Sequence, residues 1–432
     1  MQTAADQFAM ARRAAVSALL GSTVEYYDFT LFTTASALFL GPVFFAPLGP
    51  RQATIAAFLT FGSAFLARPL GAVVLGHLGD RTGRRRALIW SVTLMGLATT
   101  GIGLLPPYAA IGPAAPVALL ALRLLQGFSA GGEQAGSNAL TLEHAPPGSR
   151  NRHTVWTMQG TSLGTMLGKL AFLVVFVLPQ ESLLSWGWRL PFLVAGPLML
   201  VAVAIRRTVS EPPVFTSLAE AGQLARVPVG ELLRHHRRAV LAVAAGTLLA
   251  VGGAVLNVYG LGYATAHGTS PAAYLGVITG VTALGLAFQP FWARVSDRLG
   301  RRPVFFWSCL AAAAVYFAYL PAIASANLWL VALASVAMML PWSAANAVSA
   351  AWFAELFPTA VRHTGAALGG QLGMIVVGFA PAIMTGLEGR AEPGWLPVAG
   401  FGATCLVVAA LSARVTPETL GRRLDDGAAA LS

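Results

Sequence analysis

Twelve stretches of largely apolar residues run through this chain, with only short connections between most of them. A helix needs about 20 such residues to cross a bilayer, where each backbone N–H and C=O must find its partner inside the segment. The stretches fall near 16–40, 54–78, 87–105, 116–142, 154–178, 188–205, 239–266, 272–293, 303–324, 327–353, 364–386 and 396–414. They predict an all-α membrane protein. Composition agrees: 56% of the 432 residues are hydrophobic and 10% are charged, against about a quarter charged in a soluble domain. That balance excludes a soluble enzyme, a disordered chain and a secreted disulfide scaffold. The two cysteines, Cys309 and Cys405, lie far apart in apolar runs, so neither a disulfide nor a metal site is expected. The opening residues lead into the first apolar run with no cleavage-like site, and no signal peptide is expected.

Charge is distributed unevenly along the connections. Lys and Arg number 28 against 17 Asp and Glu, a formal net charge of +11. The arginines concentrate in every second connection: Arg81 and Arg84 to Arg86, Arg150 and Arg152, Arg206 and Arg207, Arg234 to Arg238, Arg294 to Arg302, and Arg362. The intervening connections hold little beyond Arg51 and Arg390. This alternation is the positive-inside pattern, and it explains the basic balance better than nucleic-acid binding does. It predicts a multi-pass inner-membrane protein in contact with lipid, with both termini cytoplasmic. The one long connection divides the chain into an N-terminal half (1–206), a cytoplasmic linker (207–238) and a C-terminal half (239–432).

The halves repeat each other. "GHLGDRTGRRR" (Gly76 to Arg86) follows the second stretch, and "ARVSDRLGRRP" (Ala293 to Pro303) follows the eighth. Glu143 stands seven residues before Arg150, as Glu355 does before Arg362, and Arg-His-Thr recurs at Arg152 and Arg362. Internal repeats of six apolar segments mark secondary transporters, whose halves rock about a site near the bilayer midplane.

With these motifs the chain resembles the major facilitator superfamily, and more narrowly its metabolite:proton symporters. The resemblance covers nearly the whole chain. It is carried by "GSTVEYYDFTLF" in the first stretch, "FLARPLGAVVLGHLGDRTGRRR" in the second, and "RLLQGFSAGGEQAGSNALTLEHAPPGSR" in the fourth. "SWGWRLPF" before the sixth and "AELFPTAVRHTG" after the tenth add to it. One departure is Ala293 where the first repeat has Gly76, which implies looser packing there. The resemblance implies twelve transmembrane helices in two pseudo-symmetric six-helix halves. It also implies a cytoplasmic gate built from Asp80, Arg81, Gly83, Arg84, Arg85, Glu143 and Arg150, with Asp297, Arg298, Arg301, Glu355 and Arg362 as their counterparts. Orientation of the chain by its arginines accounts for the cations but not for Asp80 and Asp297. Arg123 opens "RLLQG", which is similar to the superfamily's fourth-helix motif linked to proton coupling.

Ionisable groups deep in apolar helices each cost several kcal/mol unless paired or hydrated, so they point to the working site. The N-terminal half holds six: Glu25, Asp28, Arg68, Arg123, Glu133 and Lys169. At about 1.5 Å per residue, Asp28 lies about 18 Å from the cytoplasmic end of its helix, Arg68 about 15 Å and Lys169 about 22 Å from theirs. That is mid-depth in a hydrocarbon core of about 30 Å. The C-terminal half offers Asn257, Tyr259, Tyr263, Gln289, Trp342, Asn346 and Gln371 instead. Three carboxylates balance three cations. Protonating one leaves a surplus positive charge that an anionic substrate can neutralise.

Glu25 and Asp28 stand three apart on one helix turn, and their repulsion favours holding a proton on one of them. Asp28 is the first candidate for the proton carrier and Glu25 the second. The alternative is that they pair with Arg68 or Arg123 for structure alone. Arg68 and Lys169 are candidates for binding substrate carboxylate, the first through its planar fork. Lys169, the only lysine in the chain, is too deep to snorkel to the interface. It is also open to carrying the proton, or to serving as a permanent partner of Glu133 or Asp28. At helical spacing Arg123, Gly127, Ala130, Gln134 and Ser137 share one face, expected to line the cavity, with Glu133 off to its side. Tyr26, Gln134, Asn138, Gln159, Asn257, Tyr259, Trp342 and Asn346 are the expected uncharged substrate contacts.

Two decoys fall on context. "GFSAG" (Gly127 to Gly131) lies in an apolar helix rather than a strand-turn-helix. "GTMLGKL" (Gly164 to Leu170) has the wrong spacing for a phosphate loop, and Gly160, Gly164 and Gly168 read as a face for close helix packing. Trp186, Trp188 and Trp395 are expected at the membrane interface. The expected function is transport by a monomer, driven by a proton gradient with no cofactor. The expected substrate is a small organic anion, such as a mono-, di- or tricarboxylate, or a zwitterion. A sugar or polyol porter is the alternative, supported by "TPETLG" (Thr416 to Gly421), and an efflux carrier is another. A membrane-embedded enzyme would need a metal cluster or a nucleophile with its base at depth, and neither is visible.

Overall fold

The computed structural model describes residues 4–82, 84–131, 150–207, 232, 235–357, 362–389 and 393–421. Twelve long helices follow the twelve apolar stretches. They are α1 (Ala4–Leu38), α2 (Pro50–Thr82), α3 (Arg84–Leu104), α4 (Ala114–Ala130), α5 (Arg150–Val175) and α6 (Leu190–Arg207) in the first half. In the second half come α7 (Arg237–Ala266), α8 (Pro271–Leu299), α9 (Arg301–Ala324), α10 (Leu328–Glu355), α11 (Arg362–Leu387) and α12 (Leu396–Val415). No strand occurs among the described residues. Nine of the described helices are long and apolar enough to cross a membrane on composition alone. The charges Glu25 and Asp28 on α1, and Lys169 on α5, lower the hydropathy of those two.

Helix pairing repeats between the halves. In the first, α1 packs on α5, α2 on α4 and α3 on α6; in the second, α7 packs on α11, α8 on α10 and α9 on α12. The halves meet along two principal seams, α2 with α11 and α5 with α8, which exchange under the same twofold relation. In lipid such contacts rest on close packing rather than hydrophobic burial, so small residues matter. Gly160, Gly164 and Gly168 all face α1, as their spacing predicts. A methyl on Gly164 would stand 2.2 Å from the Thr23 carbonyl oxygen, so only glycine lets the backbones approach this closely.

Helix α7 is interrupted. Its first segment ends at Thr247, a short helix covers Ala250–Ala254, and a π-helical turn at Val255–Tyr259 leads into Gly260–Ala266. Tyrosine hydroxyls serve carbonyls in this irregular stretch: Tyr316 donates to Val251 O at 2.9 Å and Tyr274 to Leu256 O at 2.9 Å. Trp188 departs from the sequence expectation. It is fully buried between Phe44 and Phe192, each 5.9 Å away ring to ring, because the short turn Gly187–Arg189 folds inward beneath α6. Trp186 next to it is exposed.

Candidate functional site

The ends of α2 and α8 and the starts of α3 and α9 lie on one side of the bundle, the Arg-rich face. Between the halves lies a cavity of about 270 Å³. The first half lines it with Tyr26, Phe29, Phe65, Arg68, Ser162 and others; the second contributes Asn257, Thr282, Gln289, Trp342, Asn346 and Gln371 among others. Phe353 and Ala354 near the end of α10, and Ala366 near the start of α11, also line it, so it reaches toward the Arg-rich face.

The far side is packed shut. Helix α1 contacts α7 there. On the α2–α11 seam Gly62 receives the Phe379 ring and Gly378 receives the Phe65 ring, where an added methyl would come within 2.7 and 2.1 Å respectively. At its outer end Arg51 donates to the carbonyls of Thr385 and Glu388, each at 3.3 Å. Tyr259 donates to Glu388 Oε2 at 3.2 Å, adding α7 to the same closure. Sequence reading passed over Arg51 and Glu388 because single charges in short connections look like ordinary solvated residues.

The buried charges divide into three groups. Arg68 is ion-paired with Glu25 at 3.2 Å, and its guanidinium lies over Phe29 and Phe65, 5.2 and 5.0 Å from their centroids. Asp28 accepts on Oδ2 from Thr99 at 2.5 Å and Gln126 at 3.1 Å, while its Oδ1 accepts nothing among the described residues. Gln126 in turn accepts from Arg123, whose guanidinium donates to Phe61 O and stands 4.2 Å over Phe32. A small void joins Glu25, Asp28, Arg68, Arg123 and Gln126 behind the cavity. Phe29 and Arg68 line both spaces. Lys169 forms the third group: fully buried on α5, it donates across the seam to Thr282 Oγ1 on α8 at 2.9 Å. No carboxylate partners it among the described residues, and Lys169 itself does not line the cavity, as a substrate contact would; it lies behind Thr282, which does.

Several expectations need correction. The α4 face with Arg123, Gly127 and Ala130 lines the small void rather than the cavity, because α2 lies in front of it; a methyl on Gly127 would meet Ala64 O at 2.0 Å. Tyr259 does not line the cavity, since it holds Glu388 and stacks on Tyr263 at 5.4 Å. Gln159 spends its amide on the seam, donating to Leu286 O at 2.8 Å. Tyr26, Asn257, Trp342 and Asn346 line the cavity. Thr99, Gln126 and Thr282 are partners that the sequence did not single out.

At the Arg-rich end, Arg301 pairs with Asp297 at 3.0 Å and Glu355 at 3.4 Å. Thr419 donates to Glu355 at 2.6 Å, and Glu418 accepts the backbone N–H groups of Arg301 and Arg302, each at 3.0 Å. This cluster ties α8, α9, α10 and the segment after α12 together within one half. Arg298 is exposed. Residues Gly83, Glu133, Gln134, Ser137, Asn138 and Glu143, and the side chains of Asp80, Arg81, Arg84, Arg85, Arg150 and Arg362, lie outside the described residues. So does most of the linker. Among the described residues, no group of three or more His, Cys, Asp or Glu side chains is placed to hold a metal.

Known proteins share this architecture. The sequence model of the Major Facilitator Superfamily matches residues 18–283, and that of the family described as sugar (and other) transporter matches residues 217–430. The shikimate transporter of Escherichia coli is 34% identical over 95% of this chain and 95% of its own. The proline/betaine transporter of Salmonella typhimurium is 30% identical over 98% of this chain and 86% of its own. Among solved structures, the xylose transporter XylE of E. coli in a partially occluded inward-open conformation superimposes with a TM-score of 0.77. It shares 19% identity over 96% of this chain and 100% of its own, a likeness of fold.

Proposed function

The chain belongs to the major facilitator superfamily and is a transporter rather than an enzyme, and we propose that it is a proton-coupled symporter of a small organic anion or zwitterion. The observation that carries this reading is the buried ammonium of Lys169, bonded across the seam to the hydroxyl of Thr282 in the cavity wall. A buried cation costs several kcal/mol when its charge is not cancelled. Lys169 lies just behind the cavity wall, and an anionic group entering beside Thr282 offsets its charge across that hydroxyl. Relatives named for shikimate and for proline and betaine carry molecules with a carboxylate, which supports the same class.

Asp28 is the proposed proton carrier. Among the described residues its Oδ1 accepts no hydrogen bond and has a place for a proton, while Oδ2 is held by Thr99 and Gln126. Protonation there leaves the Arg123 and Arg68 guanidinium groups less compensated, which strengthens the pull on an anion in the cavity. The positive-inside pattern supports a cytoplasmic Arg-rich face and cytoplasmic termini, an orientation in which the cavity belongs to an inward-facing form. In the internal repeat, Asp80, Arg81, Arg84 and Arg85 occupy the sequence positions that Asp297, Arg298, Arg301 and Arg302 occupy in the second half. A sugar or polyol porter is the second reading, supported by the sugar-transporter family match at residues 217–430. It leaves Lys169 unexplained.

Uptake into proteoliposomes tests the reading, using radiolabelled shikimate, succinate, citrate, glycine betaine and xylose with an imposed proton gradient. Accumulation of a carboxylate-bearing solute is expected. Asp28→Asn should keep exchange of that solute across the membrane while losing gradient-driven accumulation. Accumulation of xylose alone, or equal loss of exchange and accumulation in Asp28→Asn, would defeat the corresponding part of the proposal.

A further inference from the structure

Among the described residues that line the cavity, Arg68 alone carries a charge. Phe29 and Phe65, whose rings hold its guanidinium, line the cavity as well, so the group sits in the wall. Its Nη2 donates to Glu25 Oε1 at 3.2 Å, and its Nε is enclosed. Nη1 is neither bonded to a described residue nor enclosed, which leaves it as the nitrogen for a guest. Glu25 lines the small void and not the cavity. A guest therefore meets the guanidinium from the front while Glu25 holds it from behind.

Charge then decides what binding requires. Around the void, Glu25 and Asp28 balance Arg68 and Arg123. A guest carboxylate on Nη1 puts two carboxylates on one guanidinium and leaves the group with one negative charge in excess. Two carboxylates sharing a site favour a proton on one of them. Glu25 is the one that shares, because Asp28 is held by Thr99 and Gln126 instead. The proton, drawn from water, adds to one Glu25 oxygen while the other goes on accepting from Nη2. Among the described residues, the helices packed on α1 bring no rival charge to this level beyond Arg123 of α4. Helix α3 supplies Met95 and Thr99, α5 sets Gly164 against Thr23 and Tyr27, and α6 accepts the Tyr27 hydroxyl at Pro191 O. Lys169 stands beyond this level, since its neighbour Gly168 faces Thr30.

Resting on the symport reading, we propose that Glu25 is an internal stand-in for the guest's carboxylate: it neutralises Arg68 in the empty carrier and takes up a proton when a guest carboxylate binds Nη1. Glu25 thereby sets the affinity and its pH dependence, whereas Asp28 keeps the coupling role. The loaded form holds one more proton than the empty form, so binding tightens as pH falls, by up to about tenfold per pH unit.

Isothermal titration of the purified carrier, in buffers of different ionisation enthalpy, counts the protons taken up per guest. The ligands are shikimate and succinate, which carry carboxylates, and xylose, which carries none. Each acid that binds should take up at least about one proton at pH 7, with a tighter Kd at pH 6 than at pH 8. Glu25→Gln should bind the same acid about fivefold or more tighter than the parent at pH 8, with no proton uptake and a flat pH profile. Asp28→Asn should keep the uptake. Loss of uptake in Asp28→Asn, or acid binding without uptake in the parent, would overturn the role of Glu25 and leave the organic-anion reading intact. Binding of xylose alone, or of none of the three, would remove both. Should Glu25→Gln fail to fold, the Asp28→Asn titration decides: retained uptake supports Glu25, and lost uptake overturns it.

Discussion

Arg68 sits where a cation is hardest to keep: inside a helix, between two phenylalanine rings, with the carboxylate of Glu25 at 3.2 Å. Removing one member of a buried ion pair typically costs about 3–5 kcal/mol, because the survivor stays buried without its counter-charge. Replacing both often costs little. Glu25→Gln should therefore lower the unfolding temperature in detergent markedly, and Glu25→Gln combined with Arg68→Met should recover most of the loss. Equal destabilisation in single and double variants would mean that the pair is not what holds these residues. The charges themselves were legible in the sequence, since each interrupts an apolar run. Their partners were not. Thr99 and Thr282 look like many other hydroxyls here that bond the carbonyl one turn back, such as Thr33, Thr60 and Thr247, and both do so as well. Nothing in local spacing tells which threonine also reaches across to another helix. Gln126 offered a weak signal, three residues after Arg123 on the same helix, and Arg123 does donate to it.

Helices are where sequence and structure agree most closely, with differences that have a physical cause. Hydropathy marks where lipid contact ends, whereas hydrogen bonding decides where a helix ends. The eighth stretch reads as 272–293, yet α8 continues through Arg294 and Arg298 to Leu299 before Gly300 stops it at φ 103°. Similarly, α1 begins at Ala4, ahead of its apolar run. The interruption of α7 is invisible to hydropathy because the broken stretch is as apolar as its neighbours. The glycine face of α5, by contrast, was readable from its four-residue spacing. Gly164→Val should destabilise the fold by at least about 1–3 kcal/mol, the usual cost of overpacking. Gly280→Ala on α8 is the contrasting case, since nothing lies within 4 Å of the added methyl. Thermal unfolding of the two variants should separate them clearly, with Gly280→Ala at or slightly above the parent, given alanine's better helix propensity. Similar losses in both would show that the α1–α5 approach has slack.

At the scale of the molecule, the six-plus-six organisation was legible from the repeated motifs, but the state of the cavity was not, because repeats say nothing about which end is shut. The far side closes through Arg51 on α2 and the carbonyls at the end of α11. A cation at a helix C-terminus contributes about 0.3–1 kcal/mol, equivalent to roughly a two- to fivefold population ratio. Arg51→Ala should shift the resting population by about that factor toward a form open on the far side. The check is labelling of a cysteine placed at buried Phe58, using a membrane-impermeant maleimide applied to that side. Unchanged labelling would remove Arg51 from the closure.

The two seams between the halves differ in kind. Through the depth of the membrane the α2–α11 contact is glycine against phenylalanine, Gly62 on Phe379 and Gly378 on Phe65. The α5–α8 contact is made of hydrogen bonds: Gln159 to Leu286 O, Gln289 to Ser162 and Lys169 to Thr282. Apolar surfaces slide past one another with little directional penalty, but hydrogen bonds in oil cannot be dropped without a replacement. Friction in the empty carrier should therefore concentrate along one flank only. Cargo that supplies substitute acceptors on that flank acts as its own lubricant, so tight coupling between loading and reorientation needs no separate sensor.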